Sequence, residues 1–193
     1  MAVGYTGYTN KTPLHYLLDA GAIYTNLTYE ATTGEFTGDL LGATSGGNEF
    51  ALQQTTRVIQ VDGVKGAAKG NIQIDEEVPQ LTINLKELTA QNIARAIAGS
   101  KVEADENYNI ITTKGVIELT DYLENIAFVG RLSGSTKPVV IIIENAISLE
   151  GLSIKTTDSG EAVVPVVFRG TYDSAALEAQ RAPFKIYWPL ETE

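Results

Sequence analysis

Cysteine is absent from the 193-residue chain, and histidine, methionine and tryptophan occur once each. Without cysteine there is no disulfide, no thiolate metal site and no cysteine nucleophile. The single histidine, His15, leaves no partner for a paired-histidine zinc site, and no HExxH run exists. A Ser-His-Asp triad would have to be built on that one side chain, beside Tyr16 and Leu17 near the N-terminus. Long apolar runs are missing as well. The longest, Val139–Ile143, has the length of a strand, so no membrane-spanning helix is expected. The stretch from Leu14 to Leu18 is interrupted by His15 and Tyr16, so no signal peptide is expected. Basic residues are outnumbered, 14 Lys and Arg against 24 Asp and Glu, for a net charge of −10. That balance argues against a non-specific grip on nucleic acid, which needs cations to displace counterions from phosphate.

What is present is an ordinary globular composition, 44% apolar and 20% charged, sized for one domain over 1–193. The most regular stretch is Thr55–Gly99. Val58–Asp62 is β-rich and ends at Asp62-Gly63, a turn dipeptide. Gly70–Asp75 alternates Ile72 and Ile74 with Asn71, Gln73 and Asp75, which predicts an isoleucine face buried against a helix or an opposing sheet and a polar face turned outward. Pro79 is expected to take the chain out of the ladder before Leu81, Ile83 and Leu85 resume the alternation. Thr89 then reads as an N-cap, Ile93, Ala94 and Ile97 as the face of a short helix packed on a sheet, and Gly99 as its stop.

Elsewhere, residues 1–20 read as an arm with one helical turn behind Pro13, and Ala22–Thr28 as a strand. Tyr29–Glu49, dense in Gly and Thr, reads as a long loop, either an element that orders on or contacts a partner or a mobile surface insertion. Ile110–Thr113 is read as a strand after the polar turn Asp105–Asn109. Asn125–Leu132 and Val139–Ile143 form one predicted hairpin, Leu152–Thr156 and Val163–Tyr172 another; Asp173–Gln180 is a helical or turn excursion, and Phe184–Trp188 a closing strand. About eight to ten strands and one helix make a mostly β chain with two packed antiparallel sheets, a sandwich or barrel with a flanking helix.

Tests for chemistry fail in turn. Gly63–Gly70 departs from a phosphate loop because Ala68 precedes Lys69 where glycine is required. Asp105, Asn107 and Asn109 begin with calcium-loop spacing, but Ile110 stands at the glycine position and Val116 at the bidentate glutamate. Glu76/Glu77 and Asp173/Glu178 are carboxylate pairs without the stacking aromatics of a sugar site, and Trp188 reads as core filler. The sequons at Asn10 and Asn26 carry no weight without a secretory signal. No cofactor, no metal and no enzymatic activity are expected.

The order of turns and strands resembles phage major tail proteins, the subunits of the tail tube. The likeness rests on Leu41-Gly42-Ala43-Thr44-Ser45-Gly46-Gly47, on Arg57, Ile59, Asp62, Gly63, Gly66, Lys69 and Gly70, and on Leu81, Ile83, Leu85 and Leu88 before the short helix. It continues through Asn145–Leu152 and through Gly160–Asp173, and covers about Gly21–Trp188. The resemblance implies hexameric rings stacked into a tube that conducts DNA from capsid to host cell, with the protein in the virion and assembled in the host cytoplasm. It implies copies of itself, a tape measure protein, a tail terminator and distal tail proteins as partners, DNA that passes without specific binding, and no membrane. Within that reading Asn71, Gln73 and Asp75 are expected to face the lumen, and Thr32, Gly34, Gly38, Gly42, Gly46 and Gly47 to lie in a loop between rings. The inner tube of a contractile tail or tail-like particle, and a β-sandwich binding or decoration module of a virion, are the alternatives.

Overall fold

Alternation of apolar and polar residues sets the strands, and their pairing is antiparallel throughout. The computed structural model describes residues 6–156 and 158–190. A short 3-10 turn at Thr12–His15 leads into β1 (Leu17–Glu30), β2 (Glu35–Leu40), β3 (Thr44–Val58) and β4 (Ile72–Leu85). Helix α1 (Ala90–Arg95) follows, then a small hairpin of β5 (Ser100–Ala104) and β6 (Asn109–Thr113). The remainder is β7 (Leu123–Leu132), β8 (Val139–Ser148), β9 (Val164–Gly170), α2 (Ser174–Glu178) and β10 (Phe184–Tyr187).

Eight strands form one sheet in the order β2-β1-β7-β8-β9-β4-β3, with β10 also on β8. The sheet folds over at β8. On one side this strand pairs with β7; on the other it meets β10 over Val140–Ile143 and β9 over Ala146–Ser148. The exchange swings β9, β4 and β3 over β1 and β7 as a second layer. Between the layers lie Ile23, Leu81, Ile83, Leu85, Ile126, Phe128, Ile143, Val164, Val166 and Phe168, all buried. A second cluster, Leu27, Ala127, Val140 and Ile142, lies on the far face of the first layer under Tyr24, Phe36 and Tyr187. Ile23 and Leu27 would share a face in a regular strand. A bulge at Asn26, with φ 55°, moves Leu27 to the other side. Asn125 pins the bulge from β7, accepting from the Leu27 N–H at 2.8 Å and donating to its carbonyl at 3.1 Å.

The expected helix is present. Thr89 caps it, its hydroxyl accepting from the Asn92 N–H at 3.2 Å, and Gly99 adopts φ 62° where a Cβ would strike the Val116 carbonyl. Ala94 is buried as expected and Ile93 and Ile97 are half-buried. The deepest contact is made one residue away from that stripe, by Ala96, which reaches the main core. Both halves of the Asn125–Ile143 hairpin, the polar turn at Asp105 and the closing strand are also as expected.

Four expectations are corrected. Tyr29–Glu49 is not a loop: β1 continues to Glu30, turns through Gly34 with φ 73°, returns as β2 and enters β3 at Thr44. Its threonines are strand formers, and Thr28 and Thr37 share a hydroxyl hydrogen bond across the pair at 3.0 Å. The arm over 1–20 is shorter than expected, because Leu17 and Leu18 already pair with β7; its first five residues lie outside the described residues. Leu152–Thr156 forms no strand, so β9 pairs with β4 and β8 instead of closing a local hairpin. Pro79 does not end a strand. It sits inside β4 opposite Leu52, just past Gln80–Arg169, the last pair between β4 and β9, where its missing N–H leaves no ladder bond unmade on that side.

Candidate functional site

Strands β3 and β4 outrun their neighbours. β4 is held by β9 only over Gln80–Leu85, whereas β3 follows it to Ile72. Beyond Pro79 the pair Gln53–Val58 and Ile72–Val78 is a ribbon of two strands with no third among the described residues, about 20 Å long at the usual rise per residue. The Ile59 N–H closes its tip by donating to the Asn71 carbonyl at 2.8 Å.

One face of this ribbon is polar and stitched. Arg57 lies opposite Gln73, places Nε 2.7 Å from Asp75 Oδ1 and donates through Nη2 to Gln73 Oε1 at 2.9 Å. A bulge between Thr55 and Thr56 frees Asp75 to make that contact; on the opposite face, which Gln54 shares with Thr56 and Val58, Gln54 donates to Glu77 Oε1 at 2.6 Å. The other face carries Val58 opposite Ile72 and Thr56 opposite Ile74. Here the expectation of burial is overturned: Ile72 is 58% and Ile74 52% exposed. The alternation is real, but the ribbon projects past the layer and the helix that would have covered it.

The chain matches no model of a known family and no curated protein.

At the foot of the ribbon the Tyr172 hydroxyl donates to the Glu77 carbonyl at 3.0 Å. Burial first, then the neighbouring Glu77 and Glu76 carboxylates, pushes this phenol up from its ordinary value. Between the ribbon and α2 runs an open cleft of about 470 Å³, lined by Ile74, Tyr172, Leu177 and Gln180 with Asp75, Glu76 and Glu77. Leu177, on α2, is 61% exposed.

A second uncovered surface is the edge of the sheet at β3. Over Thr44–Val58 this strand pairs with β4 alone among the described residues, and its only charged side chains are Glu49 and Arg57. The Asn48 side chain reaches the Ala20 carbonyl on β1 at 3.0 Å without extending a ladder. The opposite edge is β2, where Phe36 stacks with Tyr29 and Tyr187, ring centroids 4.8 and 5.2 Å away. Trp188, expected in the core, is instead 57% exposed at the rim of this aromatic group.

The residues proposed from sequence fall in separate places. Asn71, Gln73 and Asp75 lie together on the ribbon. Thr32 and Gly34 lie in the β1–β2 turn, Gly38 in β2, Gly42 between β2 and β3, and Gly46 and Gly47 in β3, along the open edges rather than in one loop. Asp173 is the N-cap of α2, its Oδ1 accepting from the Ala176 N–H at 2.7 Å, so its carboxylate is engaged in holding the helix. Asp105 takes two backbone N–H groups, from Asn107 and Tyr108, which hold its carboxyl below the usual range. Gly63–Gly70 is the ribbon tip and no helix begins there. Among the described residues no group of three His, Asp or Glu is placed to hold a metal ion, and no helix is long and apolar enough to cross a membrane. In the sequence Arg57 only helps to carry the resemblance and Asn125 only opens a strand; their contacts are not legible there because the partners, Gln73, Asp75 and the Leu27 backbone, are set by pairing register.

Proposed function

We propose that this chain is a structural protein that assembles with copies of itself, as the resemblance to tail tube subunits implies: rings stacked into a tube through which DNA passes. The observation that carries the reading is the edge of β3. An open strand of fifteen residues with two charges and no proline is what native sheets avoid unless another chain pairs with it. Pairing along that edge from subunit to subunit would close a continuous barrel and remove every free edge from a lumen. The acidic balance of the chain suits a channel for DNA, because phosphate contacts are what would retard it. On this reading Asn71, Gln73 and Asp75 line the channel, with Arg57 held by Asp75 and withheld from phosphate. Electron microscopy of the concentrated, purified protein should show hollow tubes built of stacked rings; a protein that stays monomeric overturns the reading. In a phage carrying Asp75→Lys, tubes should still form while genome ejection slows, since the change releases Arg57 and adds a second free cation. Unchanged ejection would remove these residues from the channel.

A further inference from the structure

The tip of the ribbon and the cleft along its side complement one another and do not meet within one chain. Its tip exposes Ile59, Val61 and Val64 and carries Lys65 and Lys69, neither of which has an ion-pair partner among the described residues. Residues 59–70 hold Lys65 and Lys69 against Asp62, a balance of +1 on a chain that elsewhere carries −10 − 1 = −11. The cleft along its side has the opposite character, with Ile74 and Leu177 exposed and Glu76 and Glu77 on its wall. In the same molecule the cleft runs along the side of the ribbon over Gln73–Glu77, and none of residues 59–70 lines it. We propose that the ribbon tip of one copy seats in the cleft between the ribbon and α2 of a second copy, with Val61 and Val64 against Ile74 and Leu177 and the two lysines beside Glu76 and Glu77.

The match is of two kinds. Ile72 and Ile74 alternate with polar residues as a strand does when one face is buried, yet the described residues leave both more than half exposed. A second copy supplies apolar side chains together with cations where the wall is acidic, which favours that partner over another equally acidic surface. The contact joins unlike patches, so each copy keeps one tip and one cleft free for the next, and the association continues into a ring or a filament. This inference rests on the self-assembly reading and names the surfaces that meet.

The absence of cysteine makes the test clean. The full-length double variant Val64→Cys/Leu177→Cys, mildly oxidised, should give a ladder of disulfide-linked dimers, trimers and higher species, and neither single variant should extend beyond a dimer. Adding Lys65→Glu/Lys69→Glu should abolish most of the ladder, and adding Glu76→Lys/Glu77→Lys to that protein should restore it. Tubes visible by microscopy with no ladder from the double variant would overturn the inference and leave the tube reading standing. A charge-dependent ladder without tubes would support the tip-to-cleft contact and count against a tube. A protein with neither would overturn both.

Discussion

Asn92 ties the helix to the sheet. Nearly fully buried, it donates through Nδ2 to the Leu41 carbonyl at 2.9 Å and to the Glu87 carbonyl at 3.2 Å, joining α1 to the end of β2. Asn92→Leu strips both carbonyls of a donor and should cost about 1–3 kcal/mol, read as a lower urea midpoint. Asp121 makes a second local tie. Its carboxylate accepts the Glu118 N–H at 2.8 Å and lies 2.7 Å from Lys114 Nζ, contacts that in that order hold its pKa down; Asp121, then Glu118, hold Lys114 up. A depressed carboxyl contributes stability that is complete above its unfolded value, about pH 4, and is lost as pH falls through the folded value. Asp121→Asn should therefore melt below the parent protein at pH 7, with the difference closing as pH falls through the lowered folded-state value. A gap independent of pH would assign the effect to packing. Thr89 and Gly99 were legible in the sequence because a cap and a left-handed stop are local requirements. Asn92 was not, since its partner Leu41 is 51 residues away.

Among the elements, the ribbon is the one whose stability is borrowed. An isolated pair of strands is marginal in water, and its Arg57–Asp75 pair is exposed, worth at most about 1 kcal/mol. Hydrogen exchange on the dissociated protein should find the amides of Gln53–Val58 and Ile72–Val78 opening much faster than those of Gln80–Leu85, which have strands on both sides. In the assembled protein the ribbon amides should slow toward the rate of the core. Equal protection before and after association would mean that the ribbon is not part of the contact. The strands themselves were readable from alternation, and the β7–β8 hairpin from its turn residues. The run Tyr29–Glu49 misled because glycine and threonine suit both a loop and a twisted edge, and only the pairing of β2 with β1 distinguishes them.

For the whole molecule, the point of weakness is the fold at β8. Ile143 is fully buried where that strand pairs with β10, three residues before it passes to β9, and it packs between the two layers. Ile143→Ala should cost about 2–5 kcal/mol, and because the layers share this strand, unfolding should stay a single transition by circular dichroism and by tyrosine fluorescence. Two separate transitions would show layers that fold independently.

From its sequence alone this protein was bound to be mostly β, with a capped short helix and no cysteine chemistry, because strand alternation, turn dipeptides and side-chain inventory are local properties of the chain. The amphipathic character of Ile72–Asp75 was equally plain. Which surface meets the isoleucines was not, because cover depends on how far neighbouring strands extend. Only the tertiary structure, in which β9 stops at Gly170 and leaves the ribbon to run on alone, exposes a face that the sequence had prepared for burial.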